Sequence, residues 1–159
     1  DLRRPKAEWR GPALRRIVLD PRARTPLGSR VLGEQATVVV SRDAPAKRLA
    51  KLKPHCRVIT CPLAKRGFNL KSLLRKLGQQ GCTHLLVEGG GETNAALIEA
   101  GLAQRLAFFY APKIIGGRDA RTAVAGDGLP LARGLPLEKI RWRNLGPDLM
   151  LTARVADAP

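Results

Sequence analysis

Apolar residues occur along this chain in short blocks separated by polar turns, and their spacing follows two periods. Blocks of consecutive apolar and β-branched residues predict strands at residues 16–20, 36–41, 57–60, 84–88 and 106–111. Blocks with apolar residues three and four positions apart predict helices at residues 44–52, 70–80 and 93–99. Two last apolar blocks, at residues 140–145 and 149–155, flank the turn Gly146-Pro147-Asp148 and predict an antiparallel hairpin.

The order of these elements predicts an α/β fold. Residues 36–41 are apolar on both faces, as in a strand that is covered on both sides. Strands that alternate with helices and end in a hairpin predict a three-layer architecture: a mostly parallel mixed sheet with helices on both faces and a C-terminal antiparallel hairpin. Residues 1–12 are polar and basic, so they predict a lead-in segment before one domain at residues 13–159.

Composition narrows the possible partners. The chain has 159 residues with a formal charge of +16, which indicates an anionic partner or simply a basic solvated surface. The basic residues are spread along the whole chain, and no aromatic residues interleave with them, so nucleic acid is disfavoured as the main partner. Phosphorylated small molecules remain the preferred class of ligand.

Metal and membrane partners are not expected. The three cysteines, Cys56, Cys61 and Cys82, form neither a metal-ligand spacing nor an even set for disulfides. No apolar run reaches about 18 residues, and no signal peptide opens the chain. A reducing cytoplasmic location fits this cysteine usage best.

The run Val87-Glu88-Gly89-Gly90-Gly91-Glu92-Thr93 is the most informative motif, because it joins a predicted strand to a predicted helix. Helix N-termini present unpaired N–H groups and a partial positive charge, and glycines let the backbone approach an anion there. The motif matches neither the dinucleotide fingerprint nor the P-loop. It therefore predicts a site for a diphosphate, with a purely structural tight turn as the alternative.

Other predicted strand ends carry polar side chains. Asp20 ends one strand, and Ser41 and Arg42 end the next. A hydroxyl and a guanidinium are suited to a phosphate monoester such as the 2′-phosphate of NADPH, the alternative being a solvated arginine. Lys113 follows the strand at 106–111 and is a candidate for a substrate phosphate, with an ordinary loop lysine as the alternative. No Ser-His-Asp or Cys-His arrangement is indicated.

Four motifs in order carry a family resemblance: Arg15-Arg16-Ile17-Val18-Leu19-Asp20 with Thr25-Pro26, then Leu86 to Gly91, then Tyr110-Ala111-Pro112-Lys113-Ile114-Ile115-Gly116-Gly117, then Leu145-Gly146-Pro147-Asp148-Leu149. The set resembles the reductase domain of the bifunctional riboflavin-biosynthesis deaminase/reductase, over about residues 13–155. The resemblance implies a dihydrofolate-reductase-like fold and a homodimer. It implies NADPH-dependent reduction of 5-amino-6-(5-phosphoribosylamino)uracil to the ribitylamino compound.

The resemblance also implies roles for individual residues. Glu88 corresponds to a residue that contacts substrate. The cofactor-binding positions that it implies after Glu88 are Gly90, Gly91, Glu92, Thr93, Asn94 and Ala95. The position after Asp20 also contacts the cofactor in the family and is usually Ser or Thr, whereas Pro21 stands here and supplies neither a hydroxyl nor an N–H group.

Two features of the family are missing from the sequence. Residues 1–12 do not match the first strand and helix of the family's reductase domain, and no deaminase domain with zinc ligands is present. Two interpretations stay open: a piece of a longer protein with an upstream deaminase domain, or a reductase-like domain with an incomplete pocket and a binding or assembly role. A related dihydrofolate or pterin-type reductase is a further alternative.

Overall fold

The computed structural model of the protein describes residues 14–156 and divides into two compact units, with the boundary between Leu73 and Leu74. We refer to these as the N-terminal unit and the C-terminal unit, and each is described by itself. The predicted lead-in segment, residues 1–12, lies outside the described residues.

The N-terminal unit contains a parallel sheet of three strands in the order β1-β2-β3. The strands are β1 (Arg16–Leu19), β2 (Ala36–Val40) and β3 (Arg57–Thr60). Helix α1 (Ala46–Leu52) and a short 3-10 turn (Lys53–His55) connect β2 with β3. A helix between neighbouring parallel strands is the usual crossover connection, because parallel strands cannot be joined by a tight hairpin.

Strand β2 is the middle strand, and it is buried along its whole length. Val38 and Val40 pack in one cluster with Leu52 from α1, while Val39, which points to the opposite face, is also fully buried. The continuous apolar run therefore has the cause that the sequence predicted, a strand covered on both faces.

Helix α2 (Leu70–Gln79) begins and ends at the residues that the sequence indicates. The Asn69 side-chain oxygen accepts a hydrogen bond from the Ser72 N–H at 3.0 Å, which is an N-cap. Gly81 has a φ of 78° and stops the helix in the left-handed conformation. Leu73 and Leu77 form its buried stripe. Nowhere in residues 14–156 is there a helix with the length and apolar character needed to cross a membrane.

The C-terminal unit contains helix α3 (Gly91–Glu99) and an antiparallel sheet. Its strands are β4 (Arg105–Tyr110), β5 (Leu137–Leu145) and β6 (Asp148–Val155), in the order β4-β6-β5. Strands β5 and β6 form the predicted C-terminal hairpin, with an irregularity between Glu138 and Arg141. The α/β class, the parallel strands and the hairpin are thus confirmed.

A cavity of about 240 Å³ lies within the C-terminal unit, lined almost entirely by apolar side chains. Helix α3 contributes Ala95 and Ile98, and β4 contributes Leu106 and Phe108. The segment from Val124 to Leu137 and Val155 of β6 also line the cavity.

The prediction of a strand at residues 84–88 is wrong, since these residues form no strand in the structure. Leu85, Leu86 and Val87 are exposed, with Leu86 69% accessible. Apolar, β-branched sequence is compatible with a strand, but a strand forms only where a neighbour supplies hydrogen bonds. Within residues 14–156 no strand pairs with this segment.

Candidate active site

The carboxyl ends of the three parallel strands lie at one edge of the N-terminal sheet, which is where ligands dock in open α/β sheets. The residues directly after β1, β2 and β3 are Asp20, Ser41 and Cys61. All three are buried, with 7%, 5% and 0% of their surface accessible. Buried polar groups need hydrogen-bond partners, so the contacts of these side chains determine how the edge is built.

The Asp20 carboxylate organises the loop that follows β1. Its Oδ2 accepts hydrogen bonds from the Thr25 N–H at 2.6 Å and from the Thr25 hydroxyl at 2.7 Å. Burial on its own would raise the pKa of Asp20, but hydrogen bonds from the backbone of Arg24, Thr25 and Arg22 and from the Thr25 hydroxyl outweigh it and lower that pKa. Asp20 is therefore ionised at neutral pH, and its carboxylate faces the backbone and hydroxyl of Thr25.

Pro21 and Ser41, both predicted to bind cofactor, are brought together by two hydrogen bonds. The Pro21 carbonyl accepts one from the Ser41 N–H at 3.0 Å and one from the Ser41 hydroxyl at 2.9 Å. The hydroxyl proton of Ser41 is thus engaged within the protein. Arg42, the next residue, is exposed, so the guanidinium is the donor that this pair of positions offers to a ligand.

The run of residues 87–93, called the glycine turn from here on, leads into helix α3 as predicted. Gly90 is the N-cap, with φ −73° and ψ 172°, and no side chain caps the helix. The first helical hydrogen bond runs from the Asn94 N–H to the Gly90 carbonyl at 3.1 Å. The N–H groups of Gly91, Glu92 and Thr93 therefore precede the helical ladder, as in any first turn. A Cβ built on Gly90 meets no atom within 4 Å, so the space beside this residue is open.

The next residues of the turn bind a distant loop of the same unit. The Asn94 side-chain amide donates to the Ala123 carbonyl at 2.8 Å, and the Gly91 carbonyl accepts from the Ala125 N–H at 3.1 Å. A Cβ on Gly91 would lie 2.6 Å from the Thr122 carbonyl oxygen. Gly91 therefore lacks a side chain because this loop, residues 122–126, occupies the space.

Glu92 also faces this loop, since its Oε1 accepts a hydrogen bond from the Gly126 N–H at 3.5 Å. Thr93 faces back over the turn, because a Cβ on Gly89 would lie 2.7 Å from the Thr93 Cβ. Ala95 is 2% accessible and lines the apolar cavity, so its side chain faces away from the turn.

The two residues predicted to bind substrate lie in the C-terminal unit. Glu88 is exposed in the irregular segment before α3. Lys113 follows β4 and is exposed, and its N–H donates to the Ala111 carbonyl at 2.7 Å. Both ionic side chains are open to a ligand.

Two features near the candidate residues were not predicted from the sequence. In the C-terminal unit, the loop at 122–126 contacts α3 across about thirty positions of chain, a separation that no local pattern reveals. In the N-terminal unit, the exposed Arg22 and Arg24 follow Asp20 and were not among the predicted residues. The pairing of Asp20 with Thr25, five residues later, was the available signal, because aspartate side chains commonly organise the turn that follows them.

Comparison with known proteins decides the family. The family model described as the RibD C-terminal domain matches residues 2–151. The chain belongs to the RibD C-terminal domain family. The resemblance found in the sequence motifs is thereby confirmed.

Curated relatives include two archaeal proteins named 2,5-diamino-6-ribosylamino-4(3H)-pyrimidinone 5′-phosphate reductase. The one from Methanothermobacter thermautotrophicus is 39% identical over 139 residues, which are 86% of this chain and 63% of that protein. The one from Archaeoglobus fulgidus is 35% identical over 141 residues, 87% of this chain and 62% of that protein. RibD of Actinobacillus pleuropneumoniae is 30% identical over 141 residues, 86% of this chain and 38% of that protein. The chain thus spans less than two thirds of each of these relatives.

Solved structures confirm the dihydrofolate-reductase-like fold. RibD of Acinetobacter baumannii superposes with a TM-score of 0.70 at 26% identity, over 88% of this chain and 37% of that one. The riboflavin biosynthesis reductase Rib7 of Saccharomyces cerevisiae has a TM-score of 0.70 at 20% identity, over 90% of this chain and 70% of that one. At that lower identity, the likeness to Rib7 concerns the fold.

The contact between Gly91 and the loop at 122–126 predicts opposite effects for two neighbouring glycines. Gly91→Ala places a methyl group against the Thr122 carbonyl, and we expect a loss of about 1–2 kcal/mol, since overpacking exceeds the gain in helix propensity. Gly90→Ser enters open space and adds a favourable N-cap, so stability is maintained or increased. Urea unfolding of both variants checks this, and equal unfolding midpoints would contradict it.

The lowered pKa of Asp20 predicts a pH-dependent contribution to stability. Because its folded pKa lies below the unfolded value of about 3.9, this contribution is fully present above that pH and is lost as the pH falls through the folded pKa. Asp20→Asn is expected to destabilise the protein by about 1–3 kcal/mol at neutral pH and by progressively less below about pH 4.

Urea unfolding of the wild type and of Asp20→Asn from neutral pH downward measures this difference. Asp43→Asn, at an exposed position near the same edge, is the matched control and is expected to shift the midpoint little at any pH. A gap between Asp20→Asn and the wild type that is independent of pH would contradict the assignment of the ionised carboxylate.

Proposed function

We propose that this chain provides the nicotinamide-cofactor and substrate sites of a pyrimidine reductase of riboflavin biosynthesis. The reaction is the NADPH-dependent reduction of the ribosyl group of 5-amino-6-(5-phosphoribosylamino)uracil, or of the diaminopyrimidinone phosphate named for the archaeal relatives. The observation that carries the proposal is the family match over residues 2–151, which includes the whole glycine turn. The chain spans only part of its relatives, so the activity of the chain is itself part of the proposal.

The residues of the glycine turn fit a dinucleotide. Open space beside Gly90 and the N–H groups of the first turn of α3 suit a diphosphate, whose negative charge the helix dipole favours. Gly90, Gly91, Glu92 and Thr93 contribute through the main chain, and Asn94 supports the turn through its bond to the Ala123 carbonyl. The contribution of Ala95 is confined to its backbone, since its methyl group is buried.

The edge of the N-terminal sheet, considered by itself, is a second proposed contact for the cofactor. Arg42 supplies a guanidinium for a phosphate, and Ser41 holds the Pro21 carbonyl, which fixes the backbone beside it. NADPH supplies the hydride when it is bound. The role of the chain is then to orient the two ligands and keep water away from the reacting carbon, C1 of the opened ribose.

Glu88 and Lys113 are the proposed substrate contacts. Glu88 accepts hydrogen bonds from the polar edge of the pyrimidine or the ribose and holds C1 toward the cofactor, while the Lys113 ammonium pairs with the substrate phosphate. Homodimerisation and a deaminase domain upstream in the full-length protein complete the proposal. They rest on the family resemblance and on RibD relatives of which this chain covers 38%.

A second candidate function is a reductase-like domain kept for binding or assembly. The observation that favours it is the segment at residues 84–88, which forms no strand and whose apolar Leu85, Leu86 and Val87 are exposed next to Glu88. Such a segment buries its side chains when a partner covers it.

The cofactor site is tested with a charged and a neutral cap at the same position. Gly90→Asp and Gly90→Asn both fit the open space and both cap α3, so both are expected to fold at least as well as the wild type. Only aspartate repels a diphosphate, and we expect it to raise the Kd for NADPH at least about tenfold above that of Gly90→Asn. NADPH fluorescence titration measures the difference. Equal affinities would remove the diphosphate from this turn.

Catalysis is tested by following NADPH oxidation with each of the two pyrimidine phosphates. Glu88→Gln is expected to lower kcat/KM by about tenfold to a hundredfold with the Kd for NADPH unchanged, because a charged hydrogen-bond acceptor is lost. Glu34→Gln, at an exposed position in the N-terminal unit, is the matched control and should behave as the wild type. Binding of NADPH without turnover of either pyrimidine would favour the binding or assembly role.

A further inference from the structure

We propose that Arg22, Arg24 and Arg42 form a binding site for a phosphate monoester at the carboxyl edge of the N-terminal sheet, with Asp20 as the residue that positions it. This inference rests on the proposed function. It adds Arg22 and Arg24 to Arg42 as phosphate contacts, and it adds Asp20 as the residue that fixes the backbone beneath them. The shared chemistry is a dianionic phosphate on a ribose. Its two possible sources are the 2′-phosphate of NADPH and the 5′-phosphate of the substrate.

The first support is the hydrogen bonding of the Asp20 carboxylate. Its carboxylate is buried and accepts hydrogen bonds from the backbone and hydroxyl of Thr25. These bonds hold the carboxylate against the backbone of its own loop, while its single negative charge still acts on nearby cations. The loop therefore carries Arg22 and Arg24 on a backbone that the carboxylate shapes, and the two positive charges of these residues exceed the single negative charge of Asp20.

The second support is the strained backbone of Ala23, the residue between the two arginines. Ala23 is buried and has a φ of 52°, in the left-handed region that non-glycine residues rarely adopt. Such a conformation costs on the order of 1–2 kcal/mol and persists only where the surroundings impose it. Here its N–H bonds to the Asp20 carbonyl at 3.1 Å, and its methyl group packs in the core. With Ala23 held inward, the flanking Arg22 and Arg24 are both exposed.

The third support is the pair of hydrogen bonds that joins the two strand ends. The Pro21 carbonyl lies 2.9 and 3.0 Å from the Ser41 hydroxyl and N–H, so the residues that follow, Arg22 and Arg42, leave from adjacent points of the backbone. The backbone of Arg22 is thereby placed near the backbone of Arg42. The Ser41 hydroxyl is engaged, which leaves the guanidinium groups as the ligand donors.

The chemistry of this edge selects the ligand. Guanidinium groups bind phosphate oxygens through paired N–H donors, and a terminal phosphate offers three oxygens and nearly two charges. Residues 20–25 and 41–43 contain no aromatic side chain on which a base would stack, so the recognised group is the phosphate. The one exposed carboxylate in these segments, Asp43, leaves the three arginines in excess.

The experiment uses the full chain and isothermal titration with small probes. The cofactor arm compares 2′,5′-ADP with 5′-AMP, which lacks the 2′-phosphate, and the substrate arm uses ribose 5-phosphate against ribose. The variants are Arg22→Gln, Arg24→Gln and Arg42→Gln. The control is Arg48→Gln, which removes the same charge from the exposed face of α1 in the same unit.

We expect each site variant to weaken one phosphorylated probe by about tenfold, while Arg48→Gln changes its affinity less than twofold. Loss of the preference for 2′,5′-ADP assigns the site to the cofactor, and loss of ribose 5-phosphate binding assigns it to the substrate. Either result supports the proposal. Asp20→Asn should reproduce the loss for the same probe, and Arg42→Lys should restore part of it.

Equal effects of Arg48→Gln and the three site variants would overturn the proposal, because they would show attraction by net charge alone. Unchanged affinity for both phosphorylated probes in the site variants would overturn it as well. The inference fails and the proposed function stands if two results are found together. The wild type binds NADPH, and the site variants keep its full preference for NADPH over NADH and for ribose 5-phosphate over ribose. If wild type binds no NADPH and turns over neither pyrimidine, the proposed function fails, whereas probe binding still reports on the arginines.

Discussion

Burial of β2 on both faces is the constraint on which the rest of the N-terminal unit depends. The backbone N–H and C=O groups of such a buried strand need partners on both edges, and here β1 and β3 supply them in parallel. Parallel pairing brings all three carboxyl ends to one edge, where the chain has to leave the core. The polar groups at these exits are therefore buried and must be bonded internally. The hydrogen bonds of Asp20 and Ser41 follow from this requirement, and so does the fixed backbone around the arginines.

The features that were predicted correctly from the sequence depend on local spacing. The position of helix α2, which the Asn69 cap and Gly81 set, and the two-sided burial of β2 each require information from only a few adjacent residues. The predicted strand at 84–88 failed because its apolar pattern says nothing about a partner, and strand formation needs one. The loop at 122–126 was missed for a related reason. Its contacts with Asn94 and Gly91 are set by the fold of the C-terminal unit and not by any short motif.

The structure divides the glycine turn into two parts with different physical requirements. Gly90 lies beside open space, so the absence of a side chain there leaves room for the proposed ligand. Gly91 lies against the Thr122 carbonyl, so the absence of a side chain there serves internal packing. From the sequence, both glycines were assigned to the cofactor for the same reason. A loss of cofactor binding on changing Gly91 would therefore reflect the loop as much as the ligand, whereas a change at Gly90 reports on the ligand.

The net charge of +16 attracts any anion, and by itself it does not select one. A diffuse positive field accelerates the encounter with phosphorylated ligands, is screened by salt and is indifferent to where the phosphate stands on the sugar. Selection requires donors whose positions are set before the ligand arrives, because flexible side chains lose entropy when they are ordered. At the edge of the N-terminal sheet the backbone is set in this way, by a buried carboxylate, by a strained Ala23 and by the Pro21–Ser41 hydrogen bonds. In the proposed site, the arginines of this edge stand on a backbone that is set before a ligand arrives, whereas the net charge alone contributes mainly to the rate of encounter.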